Sequence, residues 1–185
     1  ANDRFFEHQR AIFQKGGDPL EDWLSASGRA ALHQWRAQWL AAARSYVEMA
    51  AGADGAAELF SSEPRLFAWV GVHSACSHHQ AHVHEGAAVS AAFYLAVPAG
   101  GGGDWFSHDP RGMRPPFSKN RMQHLPAAGE LLLFPSWLSH GVAPRGCVAP
   151  PSTPGEATRR VAISFNLWPS AAAAGSAHWE LLADA

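Results

Sequence analysis

Between residues 27 and 52, apolar side chains return every three or four positions: Leu32, Trp35, Trp39, Ala43, Tyr46 and Ala50. Arg36, Arg44 and Glu48 fall off that line. This spacing traces one face of an α-helix, with Gly52 placed as the residue just past its end. A shorter pattern precedes it. Phe5, Phe6, Ile12 and Phe13 recur between Asp3, a candidate N-cap, and the Gly16-Gly17 stop, and they predict a first helix. From about residue 64 the period changes. Four short apolar runs, 65–75, 87–97, 130–137 and 159–168, are each bounded by Gly, Pro or polar residues and read as strands. No segment between them has the pattern of a crossover helix, which disfavours a parallel sheet. A mainly β sandwich or jelly roll is therefore expected, with N-terminal helices bracing one sheet. The expected layout is one domain over 1–185, with 1–60 as the bracing segment and 65–168 as the β core. Residues 98–104 and the Pro- and Gly-rich stretch 144–157 read as loops, and 171–175 as a linker.

Composition narrows the partners. The chain has 185 residues, 47% of them hydrophobic and 16% charged, which is enough to bury a core. The formal net charge of -2 comes with no basic run that could neutralise a phosphate backbone, so nucleic acid is not expected as a partner. No apolar stretch reaches the length of a membrane span, and the first residues do not form a signal peptide. A first residue other than methionine implies that something upstream has been removed. Cys76 and Cys147 form neither a disulfide framework nor a C-x-x-C metal pair, and they suit a reducing compartment such as the cytoplasm.

The chemistry concentrates in "HHQAHVHEG", residues 78–86. His82 and His84 stand at i and i+2. On a strand both rings fall on one face, whereas on a helix they would diverge by about 200°. A remote third imidazole, His140, follows the apolar run in "FPSWLSHGVAP". Two histidines from one strand and one from another make a facial set with open positions opposite, as a metal enzyme that binds both substrate and oxygen needs. His73, His78 and His79 lie near this cluster as candidate pocket residues.

Four ordered motifs, "HVH" (82–84), "DPR" (109–111), "FPSWLSH" (134–140) and "RVAISFN" (160–166), resemble the Fe(II)- and 2-oxoglutarate-dependent oxygenases. Within that superfamily the likeness is to the prolyl-hydroxylase branch, and most closely to a family that carries H-x-H where H-x-D is usual. The resemblance implies a double-stranded β-helix, cupin-like in form, with Fe(II) held at its open end by His82, His84 and His140. It implies 2-oxoglutarate and O₂ as cosubstrates, Arg160 on the far carboxylate, and Tyr94 and Ser164 as hydroxyl partners. An extended "RVAISFN" also puts Arg160, Ala162, Ser164 and Asn166 on one face, with Val161, Ile163 and Phe165 on the other. An arginine on a core strand calls for an anion. Glu85 is the competing third ligand if a bulge turns it inward. The insertion 144–157 is placed to act as a lid.

The activity implied is a dioxygenase that hydroxylates or otherwise oxidises a small-molecule or peptide substrate, with succinate and CO₂ as coproducts. The alternatives are a cupin-like three-histidine metal enzyme that does not use 2-oxoglutarate, and a non-catalytic metal- or small-molecule-binding barrel. Asp109, Arg111 and Trp137 are candidate substrate-pocket residues.

Overall fold

The computed structural model describes residues 10–13, 25–73, 78–98, 103–112, 120–144 and 159–169. Among them lie one helix, α1 (Ala26–Leu59), and nine strands. The strands are β1 (Arg10–Phe13), β2 (Arg65–His73), β3 (His79–His82), β4 (Val89–Ala96) and β5 (Asp104–His108), then β6 (Arg121–His124), β7 (Leu131–Pro135), β8 (His140–Ala143) and β9 (Arg160–Trp168).

The strands form two sheets, one ordered β1-β2-β9-β4-β7 and the other β3-β8-β5-β6. Every pairing is antiparallel. β2 pairs with β9, β3 with β8, β4 with β7 and β5 with β6. That nesting results from rolling up one long hairpin, and it defines a jelly roll, the double-stranded β-helix.

β9 is the strand on which the two sides of the larger sheet can be told apart. Its pairing with β2 is unbroken from Arg65 opposite Trp168 to His73 opposite Arg160. Ile163, Phe165 and Leu167 point to the outer face, where Ala68, Val89 and Ala91 join them beneath Leu32, Trp39, Ala43, Val47, Ala56 and Leu59 of α1. The Trp39 ring stacks on Phe165 at 5.1 Å and 20°. Side chains of this size, once fully buried, contribute roughly 1.5–3 kcal/mol each, so this seam fixes the sheet to its brace. The even-numbered β9 residues Arg160, Ala162 and Ser164 face the other way, into a cavity between the sheets.

Two local expectations are corrected. Arg10–Phe13, part of the expected first helix, is a strand that extends the larger sheet along β2. Edge pairing satisfies a row of backbone groups that a helix would leave open, and it outweighs the local periodicity. Asp3, Phe5 and Phe6 lie outside the described residues. The main helix starts at Ala26, one residue before 27, with Ser25 as N-cap accepting a hydrogen bond from Gly28 N at 3.1 Å. It does not end at Gly52. That glycine leaves the helical region, at φ 79°, but the chain re-enters a helix and runs on to Leu59. The added turns carry Ala56 and Leu59 into the core, and their burial favours resuming the helix after the kink.

Candidate metal centre

β3 and β8 lie side by side, with His82 directly opposite His140. The two ring centroids are 4.4 Å apart. β3 ends at His82, so His84 sits just beyond the strand. Its backbone is held by the turn after β7, His84 N donating to Ser136 O at 2.9 Å. Ser136 Oγ also donates to Ala87 O. This clamp returns the His84 ring to the same side, 4.9 Å from His82 and 5.1 Å from His140 between centroids. One ligating atom from each of the three histidines lies within 4.8 Å of the others. Glu85 does not join the cluster and is exposed in the turn that follows.

Backbone carbonyls fix two of the three rings. His82 Nδ1 lies 2.8 Å from the carbonyl of Gln80, and His140 Nδ1 lies 2.9 Å from that of Leu138. A carbonyl only accepts, so both Nδ1 atoms carry the proton and both Nε2 lone pairs remain for a ligand. His84 Nε2 is 3.3 Å from His140 Nε2. That is close to the roughly 3 Å separation of adjacent ligands on one ion with metal–nitrogen bonds of about 2 Å. Burial, reinforced by the neighbouring imidazoles, lowers His84 to a pKa of about 3. Burial likewise lowers His140 to about 4, against the pull of the Leu138 carbonyl. These rings stay neutral near pH 7, and a metal ligand must be neutral imidazole.

The cavity between the sheets opens to solvent. Arg160, Tyr94 and Ser164 line it together with the three histidines. Arg160 is 1% exposed. Its Nη1 donates to Gly103 O at 3.2 Å, while its Nε has no hydrogen-bond partner among the described residues. No ion pair to it occurs among them either, and among the described residues no Asp or Glu lines the cavity. Burial lowers the Arg160 pKa, opposed by Tyr94. Burial pushes Tyr94 up to about 12, partly offset by Arg160, so its phenol keeps its proton. A buried guanidinium with no carboxylate beside it among the described residues and with a spare donor is a built anion site.

Two observations therefore test whether iron and a dicarboxylate fit. The donor set is three neutral nitrogens suited to a divalent transition metal, and the orphaned Arg160 Nε suits a carboxylate. Both fit.

The remaining expectations divide. His73 and His79 line the cavity as well. β3 carries an irregularity between His79 and His82, which brings the two rings to 4.2 Å although their spacing in the sequence is odd. His78 is exposed. Asp109, Arg111 and Trp137 are not among the lining residues. Asp109 and Arg111 satisfy each other within a turn, Arg111 donating to both carboxylate oxygens at 2.9 and 2.7 Å. Those bonds hold the Asp109 carboxyl at about 2. Trp137 lies in the turn after β7 and is partly exposed. The walls are instead Trp69 beside His84, and Trp105 and Phe134 beside His140. Most of the lid segment 144–157 lies outside the described residues, as do Cys76, Cys147 and 171–175.

The fold and the site together define a double-stranded β-helix with three imidazoles converging at the mouth of its cavity. By its sequence the chain belongs to the family described as "Putative 2OG-Fe(II) oxygenase", whose model matches residues 67–166. No curated protein matches it. Among solved structures it is similar to a prolyl-4-hydroxylase of Pseudomonas putida, at 16% identity and a TM-score of 0.49, over 88% of this chain and 71% of that one. A cupin domain of Bordetella pertussis matches at 10% identity and 0.36, over 57% and 83%. A double-stranded β-helix protein of Klebsiella pneumoniae matches at 12% and 0.38, over 60% and 81%. Among the described residues no helix is long and apolar enough to cross a membrane.

Proposed function

We propose that this oxygenase couples oxidation of a small organic molecule or peptide to the conversion of 2-oxoglutarate and O₂ into succinate and CO₂. One oxygen atom goes to succinate and the other to the substrate. His82, His84 and His140 hold the iron, Arg160 receives the far carboxylate of the cosubstrate, and Tyr94 and Ser164 offer hydroxyls beside it. Fe(II), when bound, supplies the redox chemistry that activates O₂. The chain's own residues orient, neutralise and exclude. Arg160 meets the far carboxylate, and the neutral histidines leave the ion's positive charge for the oxo-acid end, so charge balance needs no protein carboxylate. Trp69, Trp105 and Phe134 keep water from the reacting end.

The observation that carries this reading is the buried Arg160, its Nε without a partner and no Asp or Glu beside it among the described residues, on the same cavity as the three histidines. A three-histidine enzyme that does not use 2-oxoglutarate has no need of that cation. The test is succinate formation by the iron-loaded protein, with tryptophan quenching during a 2-oxoglutarate titration as a second measure. Metal binding without any response to 2-oxoglutarate would favour the cupin-like enzyme. No stoichiometric metal would leave a non-catalytic barrel.

A further inference from the structure

Resting on the three-histidine reading, we infer that Asn166, backed by Ser90, is the positioning residue that decides whether His84 can serve as the third ligand. The two residues face each other across the β4–β9 ladder. Ser90 is 1% exposed and Asn166 5%. Ser90 Oγ donates to Asn166 Oδ1 at 2.7 Å, and Asn166 Nδ2 lies 2.9 Å from His84 Nδ1.

The proton inventory makes this contact consequential. An amide nitrogen only donates, so His84 Nδ1 accepts and its ring proton sits on Nε2. That N–H points to His140 Nε2, whose lone pair is free because its Nδ1 proton is committed to Leu138 O. His82 and His140 thus offer lone pairs, while His84 offers a proton at the same point. Ligation by His84 Nε2 requires that proton on Nδ1, where only an acceptor can meet it. Turning the Asn166 amide over supplies the acceptor, Oδ1. Nδ2 then donates to Ser90 Oγ, and a hydroxyl serves as donor or acceptor equally well. No proton is gained or lost, since it moves from one nitrogen of His84 to the other. A carboxylate at position 84 would accept from the amide as it stands. The imidazole is what makes the amide's direction matter.

The test compares Asn166→Leu, Asn166→Asp and Ser90→Ala by Co(II) and Fe(II) affinity in chelator competition, with ¹⁵N NMR of the imidazoles to assign the His84 tautomer. Asn166→Leu, which can neither donate nor accept, is expected to weaken metal binding roughly 10- to 100-fold, as loss of an outer hydrogen-bond partner does. Asn166→Asp can only accept once ionised. It should hold the proton on Nδ1 even without metal and restore affinity to at least that of the native protein. Ser90→Ala should weaken binding severalfold, and it keeps the inference testable if Asn166→Leu does not fold. Equal metal affinity in all folded variants, or a His84 tautomer that does not change on metal loading, would overturn it. Failure of the native protein to bind metal through these histidines would instead overturn the reading of the site.

Discussion

Replacing Arg160 by leucine separates two effects that usually move together. In the structure Arg160 is fully buried and gives one hydrogen bond to Gly103 O, and its Nε gives none among the described residues. Without a ligand, the chain bears the cost of desolvating a cation that has no anionic partner among the described residues. Leucine removes that cost and leaves only the Gly103 carbonyl short of a donor, so stability should hold or rise, by up to about 1–4 kcal/mol if the cavity closes over the smaller side chain. Cosubstrate binding should move the other way. A desolvated charge-assisted contact is worth on the order of 2–5 kcal/mol, which at about 1.4 kcal/mol per decade is roughly a 30- to 4000-fold loss of 2-oxoglutarate affinity. Iron content should stay near native, because the ligating rings keep their partners. The assays are thermal unfolding, metal analysis and quenching of Trp69 and Trp105 fluorescence by 2-oxoglutarate. Unchanged 2-oxoglutarate affinity in a folded, iron-loaded Arg160→Leu would refute the assignment. A large fall in stability without ligand would refute the claim that the guanidinium has no anionic partner.

Other outcomes follow from the same geometry. His84→Ala should lower iron affinity by more than the roughly 10- to 100-fold expected of an outer partner, His84→Asp should retain iron with an altered rate, and Glu85→Gln should do little; iron analysis and succinate formation decide. Full iron in His84→Ala with loss in Glu85→Gln would make the glutamate the ligand. Gly141→Ala should reduce both stability, by about 1–3 kcal/mol, and metal content, since a Cβ there would lie 2.6 Å from His79 O and 2.7 Å from Phe106 Cζ, beside His140. Tyr94 has a folded pKa of about 12 against an ordinary 10.0. Its contribution is therefore complete below pH 10 and declines by about 1.4 kcal/mol per pH unit between 10 and 12. Denaturant melts across that range should show a shallower decline in Tyr94→Phe, and identical declines would count against the burial.

The four strands legible as apolar runs became β2, β4, β7 and β9, all in the sheet that α1 covers. One face of that sheet packs against a helix and the other against the cavity, so its strands read as continuous apolar segments. The second sheet left a weaker trace. β6 is "RMQH", mostly exposed, and β3 is "HQAH". Neither alternates. His82, His84 and His140 were recoverable because i, i+2 spacing on an extended chain survives even where the strand ends at His82. Spacing places His79 only as a neighbour of the cluster and not on the face of His82, because the irregularity in β3 breaks the alternation that spacing arguments use. Ser90 and Asn166 meet across two strands 76 positions apart, a pairing that depends on register. Asp109 and Arg111 misled for a simpler reason. Opposite charges two residues apart satisfy each other in a turn before any ligand is needed.

The nested pairing also sets when the site can exist during folding. His82 and His140 become neighbours only after β3 meets β8, and Arg160 reaches its place only when β9 returns to β2, closing a span from Arg65 to Trp168. Contacts this distant in sequence are slow to form, on the millisecond-to-second scale of β topologies. No fragment of the chain gathers the three rings early. A metal ion that requires all three therefore binds the completed roll and not its precursors. It should slow unfolding while leaving the refolding rate nearly unchanged.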